Sequence, residues 1–410
     1  MSIKSKLINV IGLGYIGLPT AALLASQGYK VVGTDINQSI VETINQGKIH
    51  IIEPDLDVLV EKAISTDHLK ASTSYQAADV YIICVPTPFH ETNPIPQPNI
   101  DNVIAATRNI ANLIKPGDLV ILESTSPIGT TEKMQMVLEE IGAPINDIHI
   151  AYCPERVLPG NTISELVEND RIVGGLTPTA TKTVSDFFRT FVNGKVLETD
   201  AKTAEMCKLT ENSFRDVNIA FANEISMICS KEGINVWNMV KLANHHPRVN
   251  ILQPSAGVGG HCIAVDPWFI IANNEKNARL LLTAREVNTF KTDWVIDNIK
   301  LAATKATKKS GKKSTIACLG LAFKPDIGDL RESPALKIAL LLASQGHDVI
   351  TVEPNIKFHE SLTVVKLEQA IHQADVIAVL VKHKDFVSSS VLQNLSNKSI
   401  LDFCGALQKP

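Results

Sequence analysis

No apolar run in this chain approaches the ~18–20 residues that a bilayer-spanning helix requires. Nor is there a surplus of basic charge: Lys plus Arg number 39 against 43 Asp plus Glu, for a net charge of -4. Nucleic-acid binding needs the opposite balance on at least one face, so that class of partner is set aside. Aromatics are sparse at 5%, but 45% hydrophobic and 20% charged residues are the proportions of an ordinary globular chain. The seven cysteines (84, 153, 207, 229, 262, 318, 404) include no Cys-x-x-Cys pair and no zinc spacing. Such an odd, scattered set reads as reduced thiols in a cytoplasm, with six packed as small buried groups and Cys262 set apart. No metal centre is expected, because the adjacent His245 and His246 have no further ligands in a matching pattern. Lys4 and Lys6 before an apolar stretch imitate a secretion signal, yet Gly12, Gly14, Gly17 and Pro19 break that stretch, so secretion is not expected.

What is present is organisation. The 410 residues suit two or three domains. Residues 7–14 read as a buried strand entering a turn, followed by a helix over Gly17–Gln27 and a strand over Lys30–Thr34 that ends at Asp35. Apolar runs at 79–85, 118–123 and 147–151 read as further buried parallel strands. The segment Ala-Ser-Gln-Gly recurs at 25–28 and 343–346, each time before a strand that leads to an acidic residue, and Thr315–Leu319 repeats the upstream strand. The expected fold class is therefore α/β, with two Rossmann-like doubly wound domains joined by a central helical segment. The expected divisions are 1–199, 200–304 and 305–410. The basic run from Lys305 to Lys313 is read as a solvated linker.

Several residue patterns carry chemistry. Gly12-x-Gly14-x-x-Gly17 follows a strand and opens a helix, with Asp35 eighteen residues past the last glycine. The first glycine permits the tight turn, the second a close pyrophosphate, and the third close helix packing. Asp35 should bind ribose hydroxyls and repel a 2′-phosphate, which favours NAD over NADP. Thr87 and Thr125 follow buried strands, where they either bond a ligand or cap the next helix. Lys208, Asn212 and Arg215 share one helical stripe, which is either a solvated face or one wall of an anionic site. Gly257-Val-Gly-Gly-His-Cys262 places a cysteine directly after a flexible loop, with Asp266 four residues on and His245, His246 and Arg248 just before. A nucleophilic thiol needs partial exposure and a thiolate-stabilising setting, which Lys208 and His261 would supply. Lys324 and Arg331, in loops of the second unit, suit an anionic ligand. That unit lacks the glycine fingerprint and is not expected to take a second dinucleotide.

Together these motifs resemble the UDP-glucose/GDP-mannose dehydrogenase family over essentially the whole chain. The carrying segments are Gly12 to Pro19, Cys153 to Gly160, Lys208-x-x-x-Asn212, Gly259 to Pro267 and Phe323 to Asp326. The resemblance implies NAD-dependent, four-electron oxidation of a sugar C6 hydroxyl through a thiohemiacetal and a thioester on Cys262. It implies that Lys208 and Asn212 stabilise the oxyanion, that Asp266 orients or activates water, and that Glu155 helps hydrolysis. It assigns Gly12, Gly14, Tyr15, Ile16, Gly17, Asp35, Thr87, Thr125 and Arg331 to the cofactor. It assigns Arg156, Val157, Lys208, Asn212, Arg215, His246, Arg248, Gly259, Phe323 and Lys324 to the sugar nucleotide. It also implies a homodimer through the middle helices. Pro154-Glu-Arg-Val157, and Ala264 two residues after the cysteine, depart from the glucose branch and point to an N-acetylhexosamine. The expected substrate is UDP-N-acetyl-D-mannosamine, with the gluco compound as the alternative. Gly328 stands where the family pattern leads one to expect an acidic residue. A two-electron β-hydroxyacid dehydrogenase would need neither Cys262 nor the second Rossmann-like unit, and a sugar-nucleotide sensor would need no catalytic set.

Overall fold

The computed structural model describes residues 6–90, 95–158, 160–260, 262–388 and 398–408. The chain packs into two compact units, Met1–Thr210 with Trp268–Ala272, and Glu211–Pro267 with Asn273–Pro410.

The first unit opens with β1 (Leu7–Ile11), α1 (Gly17–Ser26), β2 (Lys30–Thr34), α2 (Gln38–Asn45), α3 (Leu56–Ser65), β3 (Leu69–Ser72) and β4 (Val80–Ile83). A two-residue ladder, β5 (Phe89–His90) against β6 (Gln97–Pro98), precedes α4 (Asp101–Ile110), β7 (Leu119–Leu122), α5 (Thr130–Ile141) and β8 (His149–Tyr152). Then come α6 (Thr162–Glu168), β9 (Arg171–Gly175), α7 (Pro178–Phe188) and β10 (Val196–Asp200). The sheet order is β10-β9-β8-β7-β4-β1-β2-β3, parallel except where β8 meets β9. Alternation along the strands divides its core. Val80 and Ile82 join the cluster around Ile8, Val10 and Leu24, whereas Tyr81 and Ile83 join the opposite cluster around Val120, Leu122 and Met134. A parallel sheet covered on both faces requires that arrangement. Each fully buried side chain of this size contributes roughly 1.5–3 kcal/mol. The expected strands and first helix are present. β9 and β10 were not foreseen, because β9 begins on Arg171 and ends on two glycines, and β10 is only partly covered.

The 32-residue helix α8 (Ala201–Glu232) and the short α10 (Asp266–Ile271) each carry residues of both units. The second unit adds α9 (Val236–Ala243), α11 (Arg279–Ser310), β11 (Thr315–Leu319), α12 (Pro334–Ser344), β12 (Asp348–Val352), β13 (Thr363–Val364), α13 (Leu367–Gln373), β14 (Val376–Val379), α14 (Lys384–Val387) and β15 (Ser399–Asp402). Its sheet, β13-β12-β11-β14-β15, is wholly parallel and repeats the 3-2-1-4-5 order of the first unit's opening half. The repeated Ala-Ser-Gln-Gly segments end α1 and α12. Gly28 and Gly346 follow with φ of 90° and 81°, the left-handed stop that a helix C-terminus uses.

A polar seam joins α8 to α11 within the second unit. Arg285 Nη1 and Asn288 Nδ2 each donate to Asp216 Oδ1 at 2.8 Å, and Asn223 Nδ2 donates to Asn288 Oδ1 at 2.9 Å. The basic run is not a linker. Lys305, Lys308 and Lys309 are exposed on the last turns of α11, and Lys312 and Lys313 lie just past its stop at Gly311. Cations there complement the helix dipole. The cysteines also differ from expectation: Cys153, Cys229 and Cys318 are buried, but Cys84, Cys207 and Cys404 are only partly so.

Candidate active site

The glycine turn after β1 is set by crowding. A Cβ on Gly12, whose φ is 90°, would stand 2.7 Å from the Cys84 carbonyl oxygen, and one on Gly17 would strike the Gly12 carbonyl oxygen. Gly14 has nothing within 4 Å, which leaves its face open to a ligand. Ile16 at the N-cap of α1 offers no side-chain acceptor, so the first amides of the helix are not capped by a side chain. Asp35 closes the turn, with Oδ2 accepting from Leu13 N and Oδ1 from Asn37 N, both at 2.9 Å. Tyr15 is exposed and Ile16 half-buried beside it. At the ends of β4 and β7, Thr87 Oγ1 donates to the Thr125 carbonyl at 2.7 Å, and Ser124 Oγ donates to the Val85 carbonyl at 2.7 Å. Thr87 therefore ties two loops together and caps no helix.

The segment after β8 is held by carboxylates from elsewhere in the unit. Glu53 accepts from Gly160 N and, at 2.8 Å, from Thr162 N, while Glu165 accepts from Leu158 N at 2.7 Å. Within this segment Glu155 is buried, Arg156 donates to the Asp170 carbonyl, and Val157 packs against the core. The Glu155 carbonyl accepts from Lys208 Nζ at 2.7 Å. Lys208 is buried on α8, so the stripe it begins is not a solvated face until Arg215, which is exposed. Glu205, one turn earlier and fully buried, accepts from Gly129 N, Thr131 N and Thr131 Oγ1 at the start of α5.

In the second unit, Asn212 Nδ2 donates to Asp266 Oδ2 at 2.5 Å, and both residues are buried. Asp266 N donates in turn to the Cys262 carbonyl at 2.8 Å. Cys262 itself is exposed. His261 lies outside the described residues. His246 and Arg248 are exposed in the turn after α9, where Arg248 N donates to His246 Nδ1 at 3.3 Å. The glycines before Cys262 approach the chain itself. A Cβ on Gly259 would meet the Glu332 carbonyl and, at 2.7 Å, Pro334, and one on Gly260 would stand 2.7 Å from the Phe323 ring. Phe323 and Lys324 are half-buried. Arg331 is gripped by Asp329, with Nη2 2.6 Å from Oδ2. Among the described residues no group of three or more His, Cys, Asp or Glu converges as metal ligands.

Three family models cover the chain in order: the NAD-binding domain of the UDP-glucose/GDP-mannose dehydrogenase family at residues 6–192, its central domain at 202–290 and its UDP-binding domain at 317–409. The chain belongs to this family. Curated relatives include a UDP-N-acetyl-D-mannosamine dehydrogenase of Campylobacter jejuni, 53% identical over 97% of this chain and 98% of its own length. Another of that name, from Escherichia coli K12, is 54% identical over 92% of this chain and 94% of its own. Among solved structures, a UDP-N-acetyl-mannosamine dehydrogenase of Staphylococcus aureus has a TM-score of 0.88 at 40% identity, covering 98% of this chain and 96% of that one.

The protein is thus an NAD-dependent nucleotide-sugar dehydrogenase, and its second Rossmann-like unit holds the UDP-binding domain. The position equivalent to Asp35 there is Glu353. It accepts from Leu321 N and Ala322 N at 2.8 and 3.0 Å and lies 3.2 Å from His383 Nε2. In the dehydrogenase, three buried groups near the loops escaped sequence reasoning: Glu123, Arg171 and Glu53. For Glu123 and Arg171 the sequence signal was a charge at a strand terminus; Glu53, in the loop between α2 and α3, carried none. Their partners lie far away along the chain, 48 residues from Arg171 to Glu123 and 107 from Glu53 to Gly160.

Proposed function

We propose that the dehydrogenase oxidises the C6 hydroxyl of UDP-N-acetyl-D-mannosamine to the carboxylate in two hydride transfers, with Cys262 as the nucleophile. NAD, when bound, accepts the hydride at each oxidation. The first oxidation leaves an aldehyde in the site. The Cys262 thiolate adds to the aldehyde carbon, the second oxidation turns that adduct into a thioester, and water then displaces the thiolate. Lys208 and Asn212 stabilise the oxyanion of the adducts, which is often the largest catalytic contribution. Asp266, oriented by Asn212, activates the water, and Glu155 serves the hydrolytic step. Gly12, Gly14, Tyr15, Ile16, Gly17, Asp35, Thr87, Thr125 and Arg331 serve the cofactor. Arg156, Val157, Arg215, His246, Arg248, Gly259, Phe323 and Lys324 serve the sugar nucleotide.

The observation that carries the reading is the exposed Cys262 tied through its own carbonyl to the buried Asp266–Asn212 pair, in a chain 53–54% identical to enzymes named for this substrate. Sugar identity rests on those names, and relatives named NDP-N-acetyl-D-galactosaminuronic acid dehydrogenase stand nearly as near at 51%. Division at residues 199 and 304, residence in a cytoplasm and a homodimer belong to the same proposal. The seven thiols support the cytoplasm. The dimer is supported by Phe214, Phe221 and Ile228, which are 68%, 51% and 50% exposed and seven residues apart on α8, where they form one apolar stripe.

The test is NADH yield, by absorbance, from limiting UDP-N-acetylmannosamine, UDP-N-acetylglucosamine and UDP-N-acetylgalactosamine in parallel. Two NADH per sugar from the manno compound alone is expected. The same yield from another epimer alone would keep the mechanism and replace the substrate. A Cys262→Ala protein that kept full turnover would remove the covalent mechanism.

A further inference from the structure

The second Rossmann-like unit keeps the framework of the first and satisfies it from within. Gly320 N donates to the Val352 carbonyl at 2.8 Å, as Gly12 N does to that of Thr34. Leu380 N donates to the Leu319 carbonyl at 2.9 Å, as Cys84 N does to that of Ile11 at 2.7 Å. By this register Glu353 stands where Asp35 does, and His383 where Thr87 does. Residues 320–333, a longer connection than 12–16, join the first strand of the unit to its helix. Phe323 and Lys324 lie within that connection.

Glu353 Oε2 accepts from Leu321 N and Ala322 N and lies 3.2 Å from His383 Nε2, while Oε1 accepts from Asn355 N at 3.1 Å. Burial opposes its charge, but the bond to His383 and the two amides hold Glu353 below the usual carboxylate range. An ionised carboxylate only accepts, so Nε2 carries a hydrogen. Across the ring, Nδ1 lies 2.9 Å from Asp326 N, which only donates, so Nδ1 is the acceptor. The ring is 1% exposed and stands edge-on to Phe386, with centroids 5.3 Å apart. Asp326, just past Lys324 and Pro325, has a φ of 63°, a left-handed conformation uncommon outside glycine. Its Oδ1 accepts from Lys384 N at 2.9 Å. Two adjacent residues after β14 thus grip both the amide and the carboxylate of Asp326.

We propose that His383 is a positioning residue for sugar-nucleotide binding: anchored on Glu353 through Nε2, it holds the Asp326 peptide through Nδ1 and so fixes the segment that presents Phe323 and Lys324 to the uridine diphosphate group. His383 itself touches no substrate. This rests on the role given to Phe323 and Lys324 in the proposed function and deepens it. A segment free to leave that form is competent for only part of the time, and affinity falls by that fraction.

The test is calorimetric binding of UDP to the full chain, with steady-state kinetics on the sugar that wild type oxidises. His383→Gln puts an amide nitrogen near the place of Nε2 and keeps only the bond to Glu353, whereas His383→Asn puts an oxygen near the place of Nδ1 and keeps only the acceptor for Asp326 N. His383→Gln should weaken UDP binding and raise KM for the sugar nucleotide by about tenfold, with kcat and KM for NAD within about twofold. His383→Asn should bind UDP within about twofold of wild type, although its bond to Glu353 is lost. Equal losses in the two variants would mean that the imidazole only fills space, and a folded His383→Gln with wild-type affinity would also overturn the proposal. Should His383→Gln not fold, the exposed Asp326 decides. Asp326→Ala should weaken UDP about fivefold and Asp326→Asn, which keeps an acceptor and tolerates positive φ, should recover it; wild-type affinity in Asp326→Ala would overturn the proposal. Lys324→Ala with unchanged UDP affinity would instead sink the underlying reading of this segment as a sugar-nucleotide contact.

Discussion

Lys291 gives the most quantitative expectation. It extends from α11 into the seam with α8, is 3% exposed, and forms no ion pair among the described residues. Its Nζ donates to Ser226 Oγ at 2.7 Å and lies 4.1 Å from the centroid of the Trp294 ring. Burial pushes its amine from 10.5 down to about 7. That fall corresponds to a cost of about 5 kcal/mol for the ammonium. Between the two values the unfolded chain binds a proton that the native protein lacks. Stability should therefore rise with pH from about 7 to 10.5 and be level, at its lowest, below that window. Lys291→Met keeps the chain length and removes the amine, and the Ser226 hydroxyl still donates to the Asn223 carbonyl at 2.6 Å. In urea melts the Met variant should exceed the parent by about 5 kcal/mol near pH 6, with the gap closing towards about pH 10. Parallel pH profiles for the two proteins, or a less stable variant near pH 6, would refute the reasoning.

Other outcomes follow from single contacts. Asp35→Ala, which removes the acceptor for Leu13 N, should raise KM for NAD and raise the NADP-to-NAD ratio of kcat/KM by about tenfold or more; NADP use that stayed negligible would mean that Asp35 does not set the preference. Glu205→Ala strands the three donors at the start of α5 and should cost roughly 2–3 kcal/mol in denaturant unfolding. A loss below about 0.5 kcal/mol would mean that water replaces the carboxylate. Phe221→Asp puts a charge in the middle of the exposed α8 stripe and should convert a dimer to monomers by sedimentation velocity. A dimer of unchanged affinity would move the interface elsewhere.

Local and periodic information was legible in the sequence. The glycine turn, the acidic residue ending β2, the first strands and the repeat at α12 and β12 depend on short-range rules: a stop needing positive φ, a strand buried on both faces, a helix begun at a glycine. Cys262, Asn212 and Asp266 were legible as residue types at particular spacings. β9 was not, because its burial depends on partners rather than on its own apolarity: Arg171 can be buried only because Glu123 and Glu155 reach it from other strands' ends. The basic run misled because lysines look alike in a linker and on a helix's last turn, and only the packing of Ile299, Ala302 and Ala303 tells them apart.

By itself, then, the sequence determined the first parallel strands of both Rossmann-like units, the dinucleotide turn and the residue types proposed to carry chemistry, since each follows from covalent spacing and residue type. Tertiary structure alone decided what those groups face. It turned the Glu155 carboxylate towards Arg171 and its carbonyl towards Lys208, joined Asn212 to Asp266, and brought the glycines before Cys262 against Phe323 and Pro334. The physical reason is that a buried charge or a close backbone approach is set by whichever group folding brings opposite it, and those groups lie 16 to 75 residues away along the chain.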